Sequence, residues 1–456
     1  MNAILILSGL GVASLVAEFT NLRRWLSVVI VLGLISAVVL TIKDWNASHR
    51  FYNDMVVFDN FALAFSVLIT IIGLLWFWSS AEYFLQKEAR TDRAALALFA
   101  MVGSIVMTSF NNMAMLFLGI EILSISLYAM AGLRRDLNST EAAFKYLLMG
   151  SFATGFLLFG IALVYGATGL FHVDAIAEYV SANSATLPGF FYIGVVLMLA
   201  GLAFKISAVP FHFWAPDVYT GAPTTVTAFM ATIVKIAAIA SFVRVFTVAF
   251  ASVQTTWIII LEIITLLTLI LPNLMAAYQD SVKRMLAYSS VGHVGFILLA
   301  MISAPASSNS TILYYLTAYA VASIGSFGIL IILEKETPDL TIQRFKGLFA
   351  KSPLLAIGMT VALLSLAGIP PLAGFFAKYA VLVQALSGGN TGLVIAAVLA
   401  SLVGVYYYFR VIIAMFLKGD DEKPVSVTTL HQILTVLLII LTLGLGLFPD
   451  GILKLF

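Results

Sequence analysis

The sequence predicts an all-α polytopic membrane protein of about 14 transmembrane helices, two of them discontinuous, with inverted-topology five-helix repeats. Three observations carry this. The chain of 456 residues is 62% hydrophobic and 10% charged, whereas a soluble domain carries about 25% charged residues. Apolar windows of about 20 residues, the length that crosses about 30 Å of hydrocarbon, recur along the whole chain. Lysine and arginine are sorted between alternate loops, as cytoplasmic loops require. A soluble globule is excluded. The net charge of +2 does not suggest nucleic acid as a partner; the lipid bilayer is the expected surrounding. Cysteine is absent, which excludes disulfides and Cys-ligated iron–sulfur clusters in this chain.

The windows lie near 3–19, 25–42, 58–80, 93–109, 111–132, 143–169, 188–211, 224–250, 255–278, 285–303, 311–333, 354–387, 392–417 and 431–448. The first has no basic residue ahead of it and no cleavage-like end, so it reads as a span and not as a signal peptide. The link at Ser109 to Asn112 is short enough to force the fourth and fifth spans into a close antiparallel pair. No loop is long enough for a separate soluble domain.

With this count, one side receives 15 basic residues: Arg23, Arg24, Lys87, Arg90, Arg93, Arg134, Arg135, Lys283, Arg284, Lys335, Arg344, Lys346, Lys351, Lys418 and Lys423. The other side receives 3, Lys43, Arg50 and Lys454. Both termini are therefore expected on the non-cytoplasmic side.

Six basic residues remain inside spans. Lys145, Arg244 and Arg410 lie near span ends, where a long side chain can reach the headgroups, so they read as interface anchors. Glu121 and Lys235 sit ten or eleven residues into their spans, roughly 15 Å deep. Lys205 and Lys378 lie in the two spans that contain helix-breaking proline, and His293 lies in the middle of the tenth. Burial favours the neutral form of both lysine and glutamate, so either can exchange protons near neutral pH. These groups are candidates for a proton or ion path. Fixed ion pairs for the lysines, and a merely hydrogen-bonded core role for His293, are the structural alternatives. No two of the five histidines have the i, i+3 or i, i+4 spacing of a helical metal site, so no metal is expected.

Pro210 interrupts the seventh span, and Pro370 with Pro371 interrupt the twelfth. Proline lacks the N–H that bonds four residues back, so Pro210 frees the carbonyl of Ile206, and Pro370 and Pro371 free those of Leu366 and Ala367. Such carbonyls persist at membrane depth only where protein or water satisfies them. The two broken spans are five apart. An odd separation makes them antiparallel, as in the inverted repeats of transporters; two simple proline kinks are the alternative. The expected organisation is 1–92 for spans one to three, 93–250 for a first repeat of spans four to eight, 251–417 for a second of spans nine to thirteen, and 418–456 for the last span.

The stretch from Phe204 to Lys235 contains the loop Ala215-Pro-Asp-Val-Tyr-Thr-Gly-Ala-Pro223 and ends in Ala231-Thr-Ile-Val-Lys235. With Phe117-Leu-Gly-Ile-Glu121, Lys283-Arg-Met-Leu-Ala-Tyr-Ser-Ser-Val-Gly-His293 and Leu366-Ala-Gly-Ile-Pro-Pro-Leu-Ala-Gly-Phe375, it resembles the antiporter-like membrane subunits of respiratory complex I, the bacterial NADH:quinone oxidoreductase, over nearly the whole chain. The Val-Tyr-Thr-Gly-Ala-Pro portion is similar to the N-type branch. Lys378 agrees with it, since M-type subunits typically place glutamate there, and a chain ending at Phe456 is not expected to hold the C-terminal extension of the L type.

The resemblance implies that Glu121 pairs with Lys205, that Lys235 connects onward through water and His293, and that Lys378 serves a second half-channel, all driven by quinone reduction elsewhere in the complex. It implies an enzyme subunit without a redox centre of its own, in the bacterial inner membrane, with no cofactor bound by this chain. NADH, FMN, iron–sulfur clusters and quinone would belong to partner subunits, and other antiporter-like membrane-arm subunits would be its neighbours. The alternatives are a subunit of a multisubunit sodium/proton antiporter, and a non-pumping scaffold or quinone-binding subunit in which the deep lysines are fixed ion pairs.

Overall fold

The computed structural model describes residues 1–20, 25–81, 90–305, 307–336, 340–419 and 424–456. Arg23, Arg24, Lys87 and Lys423, and the side chain of Arg90, lie outside the described residues. Thirteen helices among the described residues are long and apolar enough to cross a bilayer, by length and composition, and Pro353–Ala367 with Ala373–Ser387 forms a further, broken crossing.

Hydrocarbon offers no partner for a backbone N–H or C=O, so these segments close their hydrogen bonds internally as helices. Polar residues cap their starts. Asn112 accepts from Ala114 N at 2.9 Å, Asp136 from Ser139 N at 2.7 Å, and Ser281 from Arg284 N at 3.4 Å, each satisfying an otherwise orphaned N–H.

The chain forms two compact units. The first, Met1–Leu74, Ala81–Ser207 and Ile233–Leu261, holds α1 (Asn2–Val16), α2 (Leu26–Lys43) and most of α3 (Asn60–Ser79). It continues through α4 (Arg90–Ser109), α5 (Met113–Ala131), α6 (Leu137–Thr168), the short amphipathic α7 (Val173–Asn183) and α8 (Gly189–Ile206). It also takes the second part of α10 (Thr224–Ala249) and the start of α11 (Gln254–Ala277). Helix α6 lies against α8. A Cβ on Gly160 would come within 2.7 Å of the Gly194 carbonyl oxygen, so only glycine permits this approach of the two backbones.

One short hairpin accompanies the helices of this unit. His49–Phe51 and Val56–Phe58 pair antiparallel as a hairpin, β1 and β2, whose tip residues Tyr52, Asn53 and Asp54 adopt positive φ. The hairpin supplies partners for the tight α4–α5 link. Val56 bridges to Phe110, and the Asn111 N–H donates to the Met55 carbonyl at 2.9 Å. The short link that the sequence predicts is thus held by a sheet edge that alternation over three residues is too brief to signal.

The second unit, Leu75–Ser80, Ala208–Thr232 and Glu262–Phe456, holds α9 (Trp214–Gly221), the start of α10 and the remainder of α11. Then come α12 (Val282–Ser303), α13 (Asn309–Glu336), α14 (Pro353–Ala367), α15 (Ala373–Ser387), α16 (Thr391–Phe416) and α17 (Thr429–Leu447). Its interior is unusual for a membrane span in holding Tyr314, Tyr315, Tyr407 and Tyr408 fully buried.

Candidate functional site

In the first unit the candidates gather where α5 meets the last turn of α8. Glu121 lies at the middle of α5 and is half-buried. Lys205 sits in the final turn of α8 and is buried at 4% exposure. A cation in the last turn complements the negative end of a helix. Its Nζ donates to Ser124 Oγ at 2.8 Å. The hydroxyl of Ser124 is the lysine's direct hydrogen-bond partner, and it stands one turn beyond Glu121 on the same helix. Sequence reasoning missed Ser124; its i, i+3 spacing from a mid-span carboxylate was the available signal.

The helix ends where the sequence predicts. Ser207 takes the left-handed conformation at φ 62°, and Pro210 follows in a cis peptide bond to Val209. In the second unit the Val209 N–H, no longer helical, donates to Thr268 Oγ1 at 3.0 Å. Lys235, in the first unit, is buried at 2% exposure and follows directly on the π-helical turn Met230–Val234. Such π turns inside α-helices are frequent at functional sites.

The second unit holds His293 and Lys378. His293 is buried in the middle of α12. Its Nδ1 is 2.8 Å from Tyr315 OH and its Nε2 is 3.3 Å from Tyr408 OH. A cavity about the size of one water molecule, lined by His293, Tyr315, Tyr319, Ser365, Gly374 and Ala377, adjoins it on the side of the broken span.

Lys378 stands on α15, one turn and a half after the break, and reaches back across it. Its Nζ donates to the Ala367 carbonyl at 2.9 Å and to Ser401 Oγ at 2.8 Å, and it lies 5.1 Å from the centre of the Phe296 ring. The Ala367 carbonyl is one of those that Pro371 frees. Gly368, at φ +85°, turns the chain out of α14, and a Cβ there would sit 2.8 Å from Lys378 Cδ. Pro370 and Pro371 are joined by a cis peptide bond. The second half of the broken span starts under the Ser365 hydroxyl, which accepts from Gly374 N at 3.1 Å.

The other intramembrane cations behave differently. Lys145 pairs with Glu141 at 2.7 Å, and Arg410 donates to the Ala277 carbonyl at 2.6 Å and to Asp280 at 3.2 Å. Arg244 requires a correction. It does not reach for the headgroups: it is buried at 8% exposure and holds both carboxylate oxygens of Asp59 at 2.7 and 2.9 Å. The cause is the position of α3, whose N-cap Asp59 is brought against it; Asp59 Oδ1 also accepts from Ala62 N at 2.8 Å. Among the described residues no three His, Cys, Asp or Glu side chains gather as metal ligands.

Residues 110–404 match the family described as the NADH:quinone oxidoreductase/Mrp antiporter transmembrane family. The chain is 41% identical, over all of its length and all of the relative's, to NADH-quinone oxidoreductase subunit N of Flavobacterium psychrophilum. A chain of respiratory complex I from Thermus thermophilus is similar at TM-score 0.84 and 32% identity, covering 99% of this chain and 98% of that one. A chain of the Mrp complex from a Dietzia species shares the fold at TM-score 0.88 with 20% identity, over 99% of this chain and 94% of that one.

Proposed function

The chain belongs to the NADH:quinone oxidoreductase/Mrp antiporter transmembrane family, and on that premise we propose that it is the N-type proton-translocating membrane-arm subunit of a bacterial NADH:quinone oxidoreductase. Protons pass by way of Glu121, Lys205, Lys235, His293 and Lys378. The observation that carries this reading is the kind of partner that the buried Lys205 and Lys378 have. They are held by Ser124, Ser401 and the Ala367 carbonyl, all neutral acceptors, whereas the buried Arg244 is held by both carboxylate oxygens of Asp59. A scaffold subunit with fixed ion pairs predicts carboxylate partners for the two lysines. A buried lysine on neutral acceptors can lose its proton without stranding a counterion.

Quinone reduction elsewhere in the complex shifts charge along the membrane and alters how closely Glu121 approaches Lys205. When the carboxylate is near, the ammonium is favoured and the lysine loads; when it withdraws, desolvation favours the neutral amine and the proton moves on through Lys235 and His293 towards Lys378. The freed Ala367 carbonyl at the second break supports this reading by offering the Lys378 ammonium an acceptor that no intact helix has.

We read 93–250 and 251–417 as inverted repeats, each with one broken span and its lysine, flanked by 1–92 and 418–456. NADH, FMN, iron–sulfur clusters and quinone are assigned to partner subunits, and other antiporter-like subunits to its neighbours in the inner membrane, with both termini on the non-cytoplasmic face. Replacing Lys205 or Glu121 by a neutral residue is expected to depress proton pumping and coupled quinone reduction in the assembled complex. Undiminished pumping would sink the relay. Co-purification with the subunits of an NADH-oxidising arm separates this reading from a sodium/proton antiporter, which has none.

A further inference from the structure

A slot in the second unit runs between α13, α14 and α17. Three glycines meet it, and they differ in what they do. A Cβ on Gly358 of α14 would collide with Thr435 Cγ2, so this glycine lets α17 close on α14. A Cβ on Gly325 or Gly328 of α13 would stay 3.5 Å from Ala362 and 3.6 Å from Ser79, ordinary contact distances, so helix packing does not require glycine at either position. Their missing side chains are what leaves the slot open.

The polar side chains of its lining are committed within the protein. Thr435 and Thr442 donate to the His431 and Leu438 carbonyls of their own helix at 2.8 and 2.7 Å. The ring nitrogens of His431 lie 2.8 Å from Thr428 Oγ1 and 3.2 Å from the Ser79 carbonyl oxygen. A buried water takes about three hydrogen bonds, whereas this lining presents hydrocarbon, with Val321, Ile329, Ile332, Leu434, Leu438 and Ile439. From His431 to Thr442 the slot follows α17 for eleven residues, about 16.5 Å. One leaflet, half of the about 30 Å of bilayer hydrocarbon, has nearly that depth. Helices α13 and α17 run antiparallel here, since Gly328 lies beside Ser79, which His431 meets, while Tyr314 bonds the Leu445 carbonyl at 2.8 Å. The slot's His431 end is therefore also its Ile332 end, and the exposed Lys335 follows three residues later on the same side of α13.

We propose that this slot binds one phospholipid of the leaflet on the Lys335 side, with an acyl chain between α13, α14 and α17 and the Lys335 ammonium at the phosphate. A helix about 10–12 Å across is too wide for a gap left by two missing side chains, and a single hydrocarbon chain is not. An empty slot forfeits dispersion contacts along its walls, and a chain restores them. The ammonium supplies the charge that fixes the headgroup end. The lipid is thus a wedge that holds α17 to the second unit. The proposal does not depend on the proton relay, and its test does not use pumping.

The assembled complex is reconstituted in vesicles of phosphatidylglycerol that carries a diazirine in mid-chain, and after illumination the labelled residues are found by peptide mass spectrometry. Label is expected on α13 between Val321 and Ile332, a stretch buried at every residue, which a lipid reaches only by entering the slot. Gly325→Leu fills the slot and should lower that label several-fold. Lys335→Gln should lower it too, by weakening the hold on the phosphate. Absence of label from this stretch in the wild-type complex overturns the site. It does so whether the exposed Val436 and Ile440 of α17 are labelled, which marks a closed slot, or unlabelled, which marks another protein chain over it. Equal label in Gly325→Leu also overturns it, and equal label in Lys335→Gln overturns the phosphate contact. Should Gly325→Leu fail to assemble, Gly328→Val is read in the same way.

Discussion

Lys378 donates to the carbonyl of Ala367 at 2.9 Å across the break in its own transmembrane span. The carbonyl is open because Pro371, four residues on, has no N–H to offer it. A proline that ordinarily costs a helix one hydrogen bond here creates the acceptor for a buried ammonium. That pairing ties the broken helix to the charge, and it leads to specific expectations.

Gly368→Ala should disturb Lys378 directly. The residue is at φ +85°, where a side chain costs about 1–2 kcal/mol, and the new Cβ would displace Lys378 Cδ from 2.8 Å. The expected result is a lower unfolding temperature together with slower pumping per assembled complex. An unchanged pumping rate would separate the glycine from the site.

Ser124→Ala removes the hydroxyl that holds the Lys205 ammonium. A hydrogen bond to a charged group contributes about 1.5–3 kcal/mol, so the charged form of Lys205 should be harder to populate and proton translocation slower. Ser124→Thr keeps the hydroxyl and should stay close to the wild-type rate. Equal rates in the two variants, measured as vesicle acidification per complex, would contradict this.

Asp59→Ala should act on stability and leave the chemistry alone. Arg244 would keep a buried charge without its carboxylate, a loss of about 3–5 kcal/mol for a fully buried pair. The Asp59 side chain is 40% exposed, so about 1–2 kcal/mol is expected once solvent screening is allowed for. Detergent-solubilised protein should unfold several degrees lower, with pumping per intact complex retained.

A reporter fused after Phe456 should report a non-cytoplasmic location: alkaline phosphatase active, and a fluorescent protein that folds only in the cytoplasm dark. The basis is the 15 to 3 division of basic residues between the two sets of loops. The opposite pattern would reverse the assigned orientation.

The spans were legible in the sequence because bilayer thickness, and not local propensity, sets their length; Val282–Ser303 and Thr391–Phe416 begin and end within about three residues of the apolar windows. The breaks at Pro210 and at Pro370 and Pro371 were legible because a missing N–H is a local property. Arg244 was misread because depth along a helix says nothing about what another helix brings beside it, and Asp59 lies 185 residues away in sequence. The hydroxyl partners Ser124, Ser401, Tyr315 and Tyr408 went unseen for the same reason. Serine in a span ordinarily bonds its own helix, and only tertiary packing turns it towards a lysine.

The central claim is that Lys205 and Lys378, buried on neutral acceptors, carry protons, while Arg244, buried on a carboxylate, holds structure. The most direct measurement compares proton translocation per assembled complex in Lys205→Met and Lys378→Met with that in Arg244→Met. The account predicts a large loss of translocation in both lysine variants and near wild-type rates per assembled complex in Arg244→Met. Lysine variants that pump normally, or an equal loss in all three, would contradict it.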